Sequence, residues 1–156
     1  MNILALKEAH KHSVLKLNFL LSDESVKNNA VDLGNALLAL GTDLACDGFW
    51  VWDIAGEAEY YSPKFRQSLG FEDEKDFPNV PASWQKQIFK EYLPKAIESF
   101  EKHLADPNHE YDLVVEYRKK NKGSVRLVCS GTIVNRGSEN LMMLGSHKII
   151  KPTQEP

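Results

Sequence analysis

The sequence predicts an α+β domain: a five-stranded antiparallel sheet with short helices on one face, preceded by N-terminal helices. Two observations lead to this prediction. Segments of alternating residues, typical of strands, occur as a pair near residue 50 and as a trio after residue 110. Between the pair and the trio lie segments with the N-cap, proline and glycine signals of short helices.

Size and composition suit a single soluble domain with an appendage. The chain has 156 residues, 42% of them apolar, and a formal net charge of -3, which gives no reason to expect nucleic acid or membrane as a partner. Cys46 and Cys129 lie far apart without metal-ligand spacing, which indicates neither a metal site nor a disulfide framework. No apolar run approaches the roughly 20 residues of a membrane helix. We therefore expect a cytoplasmic protein.

The N-terminal segment, residues 1–45, reads as a helical appendage. Residues 2–21 contain no Gly or Pro, and Ser22-Asp23 can cap a second helix. Gly34 and Gly41 weaken the prediction of this second helix. Its apolar residues recur at spacings of three and four: Val26, Ala30, Leu33, Leu37, Leu40 and Leu44. This stripe must be buried either against the domain's own sheet or against a second copy in a homodimer.

The domain itself is predicted to span residues 46–150, followed by a flexible tail at 151–156. Trp50, Trp52 and Ile54 alternate with Val51 and Asp53 in a first strand.

A short second strand at residues 59–61 is followed by Ser62-Pro63, which opens a helix that stops at Gly70. Pro78 and Pro81 punctuate an irregular segment. A helical stretch from Trp84 to His103 is expected to break before Pro94. Three strands at 111–119, 124–135 and 141–150 complete the chain.

Three of these segments carry a resemblance to a known family. They read D-G-F-W-V-W-D-I at 47–54, E-Y-R-K-K-N-K-G-S-V-R-L at 116–127 and M-L-G-S-H at 143–147. With Y-S-P-K-F-R-Q-S-L-G-F at 61–71, they resemble the PAS domains of bacterial sensor kinases and diguanylate cyclases. The resemblance covers about residues 47–150 and implies a PAS-like sheet.

Some positions depart from the family pattern. Phe89, Lys122 and Leu127 stand where the family often has His, Asp and Trp. Ile149 and Lys151 replace the Asp and Thr that couple the sheet to an output helix in relatives. The chain thus resembles an input module without its effector, and whether it is a fragment or a free-standing sensor stays open.

The resemblance implies a sensory or regulatory domain that binds a small ligand or senses a signal. It would transmit the signal through flanking helices to an effector, a histidine kinase or diguanylate cyclase in cis or trans, as a homodimer. The alternative is a ligand-free dimerisation or protein-interaction module with a filled core. Catalytic motifs such as G-x-S-x-G and H-E-x-x-H are absent from the sequence, and Glu57 and Glu59 read as solvated turn residues, so we expect no enzyme.

By this resemblance the ligand pocket lies between the sheet and the helices. The implied ligand-binding residues are Trp50, Trp52, Tyr61, Phe65, Leu69, Phe89, Tyr117, Cys129, Met143 and His147. Strand alternation places His147 on the pocket side, where its imidazole could bind a ligand or serve as a satisfied core residue. Two tryptophans leave room for a small ligand or none.

The cofactor cannot be identified from the sequence. Heme has little support, since His10 and His12 are two residues apart and do not share a helix face. The sequence also argues against covalent flavin, because neither cysteine lies in the N-C-R-F-L-Q-like helix of light-sensing relatives. A flavin bound without a covalent bond stays open, since aromatic side chains could stack on it.

Overall fold

The predicted α+β architecture is confirmed by the computed structural model, which describes residues 30–39, 46–139 and 141–151. The N-terminal helix predicted at 2–21 and the tail residues 152–156 lie outside the described residues. In chain order the elements are α1 (Ala30–Ala39), β1 (Phe49–Asp53), β2 (Ala58–Tyr61), α2 (Pro63–Ser68), α3 (Pro81–Gln87), α4 (Leu93–Ala105), β3 (Tyr111–Arg118), β4 (Ser124–Val134) and β5 (Met142–Ile149).

The five strands form one antiparallel sheet in the order β2-β1-β5-β4-β3. Local hairpins join β1 to β2, β3 to β4, and β4 to β5. The long-range pairing is that of the first strand with the last, in which Trp50 lies opposite Gly145 and Trp52 opposite Met143. The central strand pair of the sheet therefore joins residues that are almost a hundred positions apart in sequence.

Helix α2 begins and ends where the sequence signals predict. The Oγ atom of Ser62 accepts a hydrogen bond from the backbone N–H of Phe65, and Pro63 occupies the first turn. Gly70 follows with φ at 86°, the left-handed conformation that favours glycine after a helix. Local side-chain chemistry thus sets both ends of this helix.

The break predicted before Pro94 is confirmed, but the helical stretch begins at Pro81, earlier than predicted. Pro81 was expected in an irregular segment but opens α3, because a proline at the first helical position removes an N–H that has no intrahelical partner there. The break lies at residues 88–92, where Ile88 forms a bridge to Tyr117, and Pro94 falls within the first turn of α4. The break therefore brings the α3–α4 connection onto the edge strand β3.

His103 ties the C-terminal end of α4 to the sheet. Its Nδ1 atom lies 2.6 Å from the carbonyl oxygen of His109, and its Nε2 atom accepts the backbone N–H of Ile133 at 3.0 Å. These partners select a neutral imidazole with its proton on Nδ1. Burial lowers the pKa of His103, which keeps this neutral form.

Helix α1 packs on the opposite face of the sheet from α2, α3 and α4. Leu33 and Leu37 are fully buried in a cluster with Phe49, Val51 and Tyr60. Of the two locations open for the apolar stripe, the domain's own sheet is the one that these two leucines occupy. The Val26, Leu40 and Leu44 positions of the stripe lie outside the described residues.

Gly34 allows α1 to approach the sheet closely. A Cβ atom at this position would overlap the ring of Tyr60 on β2. The glycine that weakened the helix prediction is therefore explained by packing: its bare backbone leaves the space that the Tyr60 ring fills.

We predict that Gly34→Ala loosens α1 from the sheet. Alanine is intrinsically the better helix former by about 1 kcal/mol, but the overlap with Tyr60 should cost about 1–3 kcal/mol and outweigh that gain. The free energy of unfolding should fall, and amides of α1 should exchange faster with solvent. Asn35→Ala, at an exposed position of the same helix, is the control. Increased stability of Gly34→Ala would contradict the close contact.

Candidate functional site

A cavity of about 180 Å³ lies between the inner face of the sheet and helices α3 and α4. Seven of the ten predicted ligand-binding residues line it: Trp50, Trp52, Phe65, Tyr117, Cys129, Met143 and His147. These side chains come from α2 and four of the strands, and strand alternation places the strand residues on the same face. The structure therefore brings together most of the residues that the sequence suggested.

The other three predicted residues do not line the cavity. Tyr61 is buried beside Phe65 and Phe77, and its hydroxyl donates a hydrogen bond to the carbonyl of Val80 at 2.8 Å. Leu69 is buried in the core. Phe89 is partly exposed beneath the guanidinium of Arg118, which lies 5.0 Å from the centre of its ring. These three are placed as packing residues.

The sequence interpretation missed the helical wall and part of the strand wall. The added lining residues are Glu59, Trp84, Gln85, Ala96, Ile97, Phe100, Glu101 and Tyr111. Three of these residues are exposed and mark the side of the cavity nearest solvent: Gln85 on α3, and Ile97 and Glu101 on α4. Ala96 and Phe100 are four residues apart, and this spacing could have predicted that both side chains lie on the same face of one helix.

Two glycines form the part of the sheet against which Trp50 lies. Gly131 on β4 and Gly145 on β5 are register partners. A Cβ atom at Gly145 would overlap the Trp50 indole, and one at Gly131 would lie 2.9 Å from it. The missing side chains let the indole lie close to the sheet, which leaves space above it.

The Cys129 thiol is enclosed in the cavity wall. The side chains of Trp50 and Tyr111 hydrogen-bond to its sulfur, and these two rings meet edge to face with centroids 6.4 Å apart. Burial, with a further contribution from the nearby Glu59 carboxyl, raises the pKa of the Cys129 thiol. The group is a neutral thiol near neutral pH.

Glu59 is the main correction to the sequence interpretation. It was expected to be a solvated turn carboxylate, but it lies on β2, is 4% exposed and lines the cavity. The alternation that directs Tyr61 inward directs Glu59 inward as well, so the strand pattern carried the signal. Trp84 hydrogen-bonds to its carboxyl group, Oε1 has no partner among the described residues, and burial raises the pKa of Glu59 well above its usual value.

Trp52 supplies a second buried polar atom in the same region. It pairs with Glu59 across β1 and β2, and its ring lies 4.7 Å from that of Phe100, centre to centre. Its indole Nε1–H is buried without a hydrogen-bond partner among the described residues. A donor and an acceptor are therefore available on neighbouring strands.

His147 lies in the cavity wall, as the resemblance implied. Its ring centre is 4.3 Å from that of Phe65 and 5.5 Å from that of Tyr117. Its backbone bonds to the start of the domain: its N–H donates to Gly48 and its carbonyl accepts from Asp47. The residue thus links β5 to the segment that enters β1.

The described residues contain neither a metal-binding cluster nor a membrane-spanning helix. Within residues 30–39, 46–139 and 141–151, no group of His, Cys, Asp and Glu side chains could hold a metal ion. In the same ranges no helix has the length and apolar character needed to cross a membrane.

Comparison with known proteins identifies the family. The PAS fold model matches residues 58–147. A sensory box histidine kinase/response regulator from Burkholderia thailandensis has a similar structure, with a TM-score of 0.57 and 20% identity over 73% of this chain and 84% of that one.

Two further solved structures share the fold at lower identity. The LOV domain of a blue-light activated histidine kinase from Erythrobacter litoralis matches with a TM-score of 0.52 and 13% identity, over 66% of this chain and 94% of that one. The wild-type Drosophila melanogaster Cycle PAS-B domain with bound ethylene glycol matches with a TM-score of 0.53 and 11% identity, over 66% of this chain and 99% of that one. No match was found among curated proteins. The chain belongs to the PAS fold family.

We predict that Glu59 makes stability fall as pH rises. Because its pKa is raised in the folded state, the folded protein holds this proton at pH values where the unfolded carboxyl, near 4.5, has lost it. The stability that Glu59 contributes is therefore complete below the unfolded pKa and is lost as pH rises toward the folded pKa. The free energy of unfolding of the wild type relative to Glu59→Gln should fall by up to about 1.4 kcal/mol per pH unit in that window.

Urea unfolding of the wild type and of Glu59→Gln between about pH 4 and 8 measures the difference in their free energies of unfolding. Contributions from groups that both proteins share, such as His103, cancel in this difference. Glu57→Gln, at an exposed turn position, is the control and should run parallel to the wild type. A difference between wild type and Glu59→Gln that stays constant with pH would show that the Glu59 carboxyl is solvated.

Proposed function

We propose that this PAS domain is a sensory or regulatory module that binds a small organic ligand in the cavity. The observation that carries the proposal is the cavity itself, about 180 Å³ and walled largely by aromatic side chains. An apolar cavity of roughly 150 Å³ is large enough for benzene, so a compact ligand fits. A cavity of this size also favours ligand binding over the alternative of a filled-core interaction module.

The same volume argues against large cofactors. Heme and flavin are each several times the size of benzene, so the cavity would have to open substantially to hold either one. Covalent flavin chemistry has the further difficulty that the buried Cys129 thiol, with its raised pKa, is a weak nucleophile. We therefore place a small ligand ahead of both cofactors.

The β1–β2 hairpin offers a route from the ligand to the flanking helix. Glu59 faces the cavity, while the next residue, Tyr60, packs against α1 on the other face. On β1, Trp52 likewise faces the cavity, while Val51 packs against α1 on the other face. A ligand that favours one position of this hairpin would shift the packing of α1, provided that it binds the two positions with different affinity.

The proposal extends to partners and location. The similarity to a histidine kinase sensory domain supports an effector such as a histidine kinase or diguanylate cyclase, in cis or in trans, reached by a homodimer through its flanking helices. A cytoplasmic location is part of the proposal and rests on sequence composition. The proposal includes no catalytic activity. Among the described residues that line the cavity, none is a nucleophile with a lowered pKa that could act together with the Glu59 carboxyl.

We predict that the freshly purified chain carries its ligand and that filling the cavity removes it. Ala96 is buried, lines the cavity and lies on α4, so Ala96→Leu should occupy the ligand's space. Glu98→Leu, on the same helix with 64% of its side chain exposed, adds the same side chain outside the cavity. Native mass spectrometry should show an added mass on the wild type and on Glu98→Leu that is absent from Ala96→Leu.

A bare wild-type mass would contradict the proposal, above all if Ala96→Leu were also more stable than the wild type. A bare mass at twice that of the chain would point to the dimerisation alternative.

A further inference from the structure

We propose that the cavity binds a small organic ammonium ion that also carries a neutral hydrogen-bond acceptor. This inference rests on the proposed ligand-binding function and names the chemical class of the ligand. It is carried by the placement of the Glu59 carboxyl and the Trp52 indole N–H on paired residues of β2 and β1, inside an aromatic cavity. An ammonium N–H would donate to Glu59, and the ligand's acceptor would receive the Trp52 N–H.

The Glu59 carboxyl provides the first recognition point. Only 4% of the residue is exposed, and the Trp84 indole, which can only donate, bonds to the carboxyl group. Oε1 has no partner among the described residues. Because a buried acceptor without a donor is costly, a ligand N–H at this place recovers a hydrogen bond, and a charged donor makes it stronger.

The composition of the wall selects a cation over an anion. Trp50, Trp84, Phe100 and Tyr111 supply aromatic rings, to whose faces organic cations are attracted. Among the described lining residues there is no Lys or Arg, whereas a second carboxylate, Glu101, lies on the exposed side. An anionic ligand would meet two carboxyl groups and no basic side chain other than the imidazole of His147.

The Trp52 indole provides the second recognition point. Its Nε1–H is buried without a partner among the described residues, and its ring is held against Phe100 at a centroid distance of 4.7 Å. An indole nitrogen donates and does not accept. The ligand group that meets it is therefore an acceptor, such as a hydroxyl or carbonyl oxygen.

Ammonium binding should be coupled to proton release from Glu59. Burial raises the pKa of Glu59, so a fraction of the empty protein carries the neutral acid, and an ammonium ion favours the carboxylate. Affinity should then increase with pH until the free carboxyl is ionised.

Other titratable groups face this region from the packed elements: Tyr61 on β2, Tyr111 and Tyr117 on β3, Cys129 on β4, His147 on β5 and Glu101 on α4. The tyrosine and cysteine pKa values are raised, so these groups stay neutral near neutral pH. The Glu59→Gln variant separates proton release by Glu59 from proton exchange by any other group in this region.

The test uses three probes of nearly the same size and shape: phenylethanolamine, phenylethylene glycol and mandelate, which are cationic, neutral and anionic. Titration calorimetry with the full chain near neutral pH should show that phenylethanolamine binds at least about tenfold more tightly than the other two. Repeating the titration in buffers of different ionisation enthalpy measures the protons released. Glu59→Gln should lose both the cation preference and the release, while Glu57→Gln should keep both.

Equal or tighter binding of the glycol or mandelate would overturn the inference but leave ligand binding in the cavity intact. A cation preference that survives in Glu59→Gln would overturn the role of Glu59. Failure of all three probes to bind would also overturn the inference. If native mass spectrometry then still showed a retained neutral or anionic ligand, the proposed function would stand with a different ligand class.

Discussion

The cavity depends on the contact between the Trp50 indole and the bare backbone of Gly131 and Gly145. These glycines are register partners at the centre of the sheet, and a Cβ atom at either would press into the indole or overlap it. The indole also hydrogen-bonds to Cys129, and its ring and that of Tyr111 meet edge to face. Larger residues at the glycine pair would displace Trp50 toward α4 and fill the space that a ligand needs.

The same packing makes the β1–β2 hairpin an element with two functional faces. Its inner face presents Trp52 and Glu59 to the cavity, and its outer face presents Val51 and Tyr60 to α1. Strand alternation guarantees this division, because successive side chains point to opposite faces. A change at the cavity therefore has a short physical path to α1, through residues that are adjacent in sequence.

Two buried polar side chains elsewhere in the domain, Arg66 and His103, are hydrogen-bonded, in contrast to the Glu59 Oε1 atom and the Trp52 indole N–H. Arg66 is buried, yet its guanidinium donates to the carbonyls of Tyr61 and Phe77 and to the side chain of Asn79. His103 uses both ring nitrogens. A carboxyl group left with an unpaired oxygen in an aromatic cavity reduces stability, and such local exceptions are most often found at functional sites.

Much of the fold could be predicted from sequence because its signals are local. Alternating residues placed the strands within one or two positions of their observed ends, and Ser62-Pro63 and Gly70 marked α2 through hydrogen bonds between near neighbours. The same alternation brought the strand residues Trp50, Tyr117 and His147 to one face. Local patterns do not specify the order of the strands in the sheet, which pairs the first strand with the last.

The tertiary structure decided what depends on the approach of distant elements. The orientation of α3 and α4 against the sheet made Trp84, Ala96 and Phe100 part of the wall, while Phe89 was left outside it. Gly34 is explained only by the Tyr60 ring that meets it from β2. The sequence by itself determined the strand alternation that directs the Glu59 side chain inward. Only the tertiary structure decided that this side chain is buried and not solvated, because desolvation depends on all the surrounding atoms, including those of the helices that cover it.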